Sequence, residues 1–246
     1  MKLKKILSAL LCLVMLSSMS LALADSSSSR VAIGSDLNEE QINQVYKTFR
    51  INRGEVTELT VTNNDERAYL SKSVDASMIG TKAISCIFIE ALNEGSGLNV
   101  STSNISWCTP DTYRNALTTA GITDANVTIT APFSVSGTAA LTGIYMAYES
   151  ITGKKLDETA KQVGSEELAV SSELANEIGD EDTSAIVNDL KAILDQTRNM
   201  SDEELRGTIE SIASDYNQNL TEEQIQKLIY FKRQTSNFLL SRLKVI

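Results

Sequence analysis

Ser134, Ser136 and Thr138 place three hydroxyls around Gly137, just ahead of Ala140, Ile144, Ala147, Tyr148 and Ile151, which recur at helical spacing. Hydroxyls and unpaired backbone N–H groups at one helix start suit the recognition of a polar or anionic group. Ser136 is the expected N-cap, and Gly137 would let a ligand reach the backbone. Asp36, Asn63 and Asp65 stand at two other expected strand-to-helix turns. The two aspartates would oppose a strong anion, so a neutral polar group or a peptide carboxylate fits better than a phosphate. The expected ligand set is therefore Ser134, Ser136, Gly137, Thr138, Asp36, Asn63 and Asp65. Ordinary helix capping is the competing reading of each of these turns.

Catalytic and metal chemistry have less to work with. The chain has no histidine, which removes Ser-His-Asp and Cys-His arrangements and imidazole-ligated zinc. No Gly-x-Ser-x-Gly elbow occurs, and nothing in the sequence places Lys82 beside Ser136. Paired carboxylates could cleave a glycan, but 32 acidic residues single out no pair. Gly179-Asp180-Glu181-Asp182 lacks the glycine and the acid that a calcium loop needs, since Ala185 and Lys191 stand there. It reads as a helix start with acids at the positive dipole end. No catalytic residue, metal ligand or cofactor is assigned. A non-enzymatic binding protein is the favoured reading over a wall hydrolase using a serine or carboxylates.

These residues need elements to position them. Val127–Thr130 alternates β-branched residues, and Pro132 is expected to end that strand. Val31–Ile33 and Glu58–Thr62 read as strands after a flexible Asp25–Arg30 leader. Asn38 with Gln41, and Asn63 with Glu66, read as capping boxes. Apolar Ile84–Leu92 and alternating Leu98–Trp107 flank Asn93–Gly97, which suggests a β-hairpin. Thr109-Pro110 opens a helix that Gly121 closes. The class is α/β: a mixed sheet of about five strands with flanking helices. After Gly153 the β-branched runs vanish. Stripes such as Ile186, Leu190, Ile193 and Leu194, with boxes at Ser201–Glu204 and Thr221–Gln224, give a C-terminal all-helical region. The expected division is 1–24 signal peptide, 31–155 α/β domain and 156–246 helical region.

Lys2, Lys4 and Lys5, the apolar stretch Ile6–Met19 and Ala22-Leu23-Ala24 form an export signal ahead of Asp25. With it removed, 22 basic residues become 19 against 32 acidic ones, a formal charge of −13. A chain this acidic is repelled by nucleic acid and by anionic lipid. No membrane span is expected after signal cleavage. Export permits disulfides, and Cys86 and Cys108 flank the expected hairpin; they would pair across it or remain as two buried thiols.

Several motifs occur together in one order: Val61–Arg67, Ile79–Ser85, Asn104-Ile105, Ala120-Gly121 and Ala131–Ile144. From about Val31 to Gly179 the chain resembles the YpuA-like family, domain of unknown function 1002, exported proteins of Gram-positive bacteria. The resemblance implies a secreted, cell-envelope protein with no assigned activity, and it brings no catalytic residues. An envelope protein or a small polar ligand is the expected partner.

Overall fold

The strand with apolar residues on both faces takes the middle of the sheet, and the strand that alternates takes an edge. The computed structural model describes residues 28–243. The export segment Met1–Ala24 and the start of the leader lie outside the described residues. Strands β1 (Ser29–Gly34), β2 (Thr57–Val61), β3 (Cys86–Ala91), β4 (Leu98–Ile105) and β5 (Ala125–Val135) form one sheet in the order β2-β1-β3-β5-β4. β1 pairs parallel with β2, and β4 parallel with β5, while β3 runs antiparallel to β1 and β5. The leader is shorter than expected, because Ser29 and Arg30 belong to β1 and Arg30 is buried, its Nε donating to Ser150 Oγ at 3.0 Å.

The expected hairpin is not formed. β5 lies between β3 and β4, and the connection Leu92–Gly97 passes over its start: Leu92 N–H donates to Asp124 O, and Gly97 N–H to the Asp124 carboxylate at 2.9 Å. Buried on both faces, β3 needs a partner on each side, whereas β4 exposes every second residue and suits the edge. Pro132 does not stop β5. The pairing with β3 ends at Thr130, so no ladder donor is lost at Pro132, and the β4 side is irregular there, with Asn104 at φ 57° donating to Ala131 O.

One face of the sheet is covered by α1 (Glu39–Phe49), which starts with the Asn38–Gln41 box and buries Ile42, Val45 and Phe49 against Val31, Ile33 and Cys86. The other face carries α2 (Asn63–Leu70), α3 (Ala76–Ile79), α4 (Pro110–Thr119) and α5 (Thr138–Thr152). Gly143 lets α5 lie close on the sheet, since a Cβ there would sit 3.1 to 3.4 Å from Ala32, Val61 and Ile87. Cys86 and Cys108 are both buried and unbonded. Cys86 faces α1 and Cys108 joins the core on the opposite face, so the pairing expected across a hairpin is not made.

The remaining helices are α6 (Glu158–Ile178), α7 (Asp180–Ala192), α8 (Asp202–Asp215) and α9 (Glu222–Leu243). Glu158–Ile178 is one continuous helix, α6. Its Leu168 and Ala169 enter the sheet core, while Val163, Val170 and Leu174 enter a second core with Leu190, Leu205 and Leu228. The compositional break near Leu156 therefore does not coincide with a break in packing. Asp180, Glu181 and Asp182 form the first turn of α7, with Gly179 as N-cap. Among the described residues no group of three or more potential metal ligands forms, and no helix is long and apolar enough to cross a membrane.

Candidate functional site

β1, β2, β4 and β5 all point the same way, so their C-terminal ends and the four strand-to-helix turns gather at one edge of the sheet. In α/β sheets this is the edge where ligands bind. A cleft of about 490 Å³ opens there, between Ser134–Ala139, Met78–Lys82, Ser85, Ser106 and Glu66. The volume lies within the roughly 300–1,000 Å³ typical of small-molecule sites.

The stretch Ser134–Thr138, from the end of β5 to the start of α5, lines this cleft, but its parts work differently from the expectation. Ser134 is exposed. Ser136 does not cap α5: Gly137 is the N-cap residue, at φ 101°, and no side chain caps the helix. Instead Ser136 Oγ donates to Met78 O at 2.8 Å and lies 3.2 Å from Thr138 Oγ1. Gly137 lines the cleft and is also tightly packed. A Cβ there would meet Tyr113 Oη at 2.5 Å and Ile105 Cγ2 at 2.6 Å, and Tyr113 Oη donates to Gly137 O.

Asp36, Asn63 and Asp65 do not line the cleft; they build its frame. Asp36 accepts from Ala83 N–H at 2.9 Å and so fixes the Lys82–Ala83 segment. Asp65 belongs to a capping box with Thr62, which replaces the expected Asn63–Glu66 box; both pairs have the required spacing, and the structure uses the earlier one. Asn63 accepts from Arg67 Nε at 2.8 Å and donates to Glu66 Oε2 at 3.1 Å. Arg67 also donates to Gly80 O, tying α2 to the cleft rim.

Two residues complete the site. Glu66 is fully buried, and its Oε1 has no hydrogen-bond partner. Burial pushes this carboxyl up to about 7, against the opposing pull of the Thr138 hydroxyl, the Asn63 amide and the Arg67 charge. The spacing predicts Glu66 only as the capping-box partner of Asn63. The available signal was its spacing from Leu70, which puts a carboxylate on the buried stripe of α2. Lys82 is exposed on the cleft wall and makes no ion pair among the described residues. The cleft thus holds a carboxylate and an ammonium that do not pair with each other.

The two serines of the turn lack a base beside them. Among the described residues neither Ser134 nor Ser136 has a Lys, Asp or Glu at hydrogen-bond distance, and Ser136 reaches Glu66 only by way of Thr138. Glu66 is the one carboxylate among the described lining residues, whereas glycoside cleavage by paired carboxylates needs two.

Residues 33–244 match the model of the family described as "Protein of unknown function (DUF1002)", so the likeness extends beyond Gly179 through the C-terminal helices. The chain is 40% identical over 226 residues to the uncharacterized protein YpuA of Bacillus subtilis (strain 168), covering 91% of this chain and 77% of that protein. No solved structure matches.

Proposed function

The chain belongs to the DUF1002 family, whose function is unknown, and we propose that it is an exported, envelope-associated protein that binds a small polar ligand without catalysis. Export is supported by the charged start, apolar stretch and small-x-small end of Met1–Ala24. Binding is supported by one observation above the others. The Ser134–Thr138 turn, the Lys82 segment and buried Glu66 meet in one cleft at the ligand-binding edge of an α/β sheet.

Two measurements test this reading. Fractionation of expressing cells should find the protein outside the cytoplasmic membrane, shortened by the Met1–Ala24 segment. Titration with amino acids, dipeptides and N-acetylated sugars, followed in ¹H–¹⁵N spectra, should shift resonances of Gly80–Ser85 and Ser134–Ala139. Shifts confined to other surfaces, or a full-length chain retained in the cytoplasm, would refute it.

A further inference from the structure

The cleft is bipolar. Glu66 in its wall is fully buried with Oε1 lacking any donor, and Lys82 in the same wall is an unpaired, exposed cation among the described residues. A buried carboxyl and a cation that share a cleft without pairing are complementary to a ligand that carries an ammonium and a carboxylate apart. A purely anionic ligand at the start of α5 would meet Glu66 beside Thr138, on a chain of formal charge −10. A purely cationic ligand would be repelled by Lys82. A neutral sugar would leave Lys82 without a counter-ion, and no aromatic side chain lines the described cleft to stack on a sugar ring.

We propose that the cleft binds a small zwitterion, a free amino acid or a short peptide, with its ammonium donating to Glu66 and its carboxylate paired with Lys82. This deepens the cleft-binding reading and rests on it. The ammonium supplies the donor that Glu66 Oε1 lacks, in a charge-assisted bond. Lys82, solvated at the cleft wall, contributes less, as exposed ion pairs do. Ser134, the exposed hydroxyl of the turn, is free to bond a peptide group between the two charges.

Calorimetric titration of the full chain with alanyl-alanine, in L,L and D,D forms, tests the assignment. N-acetyl-alanyl-alanine and alanyl-alanine amide serve as blocked controls. The free dipeptide in at least one form should bind, and N-acetylation should weaken binding roughly ten- to a hundredfold, the worth of one hydrogen bond to a charged group. Glu66→Gln should cause a similar loss with the melting transition retained. Lys82→Ala, an exposed substitution that cannot unfold the chain, should leave the free acid and the amide binding equally.

Binding should also release protons near neutral pH, because Glu66 gives up its proton when an ammonium pairs with it, so the measured heat should vary with buffer ionisation enthalpy. The other groups around Glu66 do not interfere. Asn63 and Thr138 do not titrate, and burial pushes Cys108 up to about 12 and Tyr113 well above its ordinary value.

Equal binding of the N-acetylated and free dipeptides would overturn the proposal, as would unchanged affinity in Glu66→Gln or no binding by any dipeptide. If N-acetylated sugars shifted the cleft resonances while dipeptides did not, the zwitterion would be wrong and the cleft would remain a binding site.

Discussion

Replacing Glu66 by Gln should change how stability depends on pH. Burial raises the ionisation of this carboxyl from 4.5 to about 7. Between those values the native chain holds a proton that the unfolded chain has already lost. Stability from this group therefore falls as pH rises through the window, and the loss is complete above about 7. The size of the rise corresponds to about 3 kcal/mol. Gln cannot ionise, so the variant should lack this component. Its own offset, from exchanging an oxygen for an amide, is the same at every pH and cancels in the comparison. Glu166, also raised by burial, is present in both proteins and cancels too. Urea denaturation of both proteins at about pH 4.5 and about pH 8 measures the difference. The native chain should lose about 3 kcal/mol more than Glu66→Gln between the two conditions. Parallel losses would show that Glu66 titrates like a solvated acid, and the buried, donor-starved carboxylate on which the site rests would be refuted.

Gly137→Ala should destabilise by about 2 to 5 kcal/mol, combining left-handed strain with overpacking against Tyr113 and Ile105. Gly121→Ala, at φ 93° with open space around it, should show only the strain, about 1 to 2 kcal/mol, in the same urea titration. Thr62→Ala should cost about 1 kcal/mol as the true N-cap of α2; an equal stability in thermal melts would return the cap to Asn63. Cys86 and Cys108, each pushed by burial up to about 12, should resist an alkylating reagent in the native chain and both react after denaturation. Failure of both to react when denatured and unreduced would show a bond that the structure does not contain.

The sequence by itself determined what short-range interactions control. The Asn38–Gln41, Ser201–Glu204 and Thr221–Gln224 boxes and the Pro110 helix start involve groups within four residues, and all form as read. The α/β class, the five strands and the helical C-terminal region follow from hydrophobic periodicity, and the turn Ser134–Thr138 was legible as a helix start beside a strand end. Even locally there were ties, as at Thr62 and Asn63, where two caps of correct spacing competed.

Tertiary structure alone decided the order of strands. An apolar strand such as β3 can pair with any neighbour, and only the folded chain shows that β5 fills the place a hairpin partner would have taken. The same insertion lets Pro132 lie inside a strand, and packing buries Cys86 and Cys108 in cores on opposite faces. Packing also singles out Glu66, because a glutamate is one acid among 32 until packing takes its water away. Desolvation depends on what α2, α5 and the Met78–Lys82 segment bring together across the chain, and no spacing along it records that.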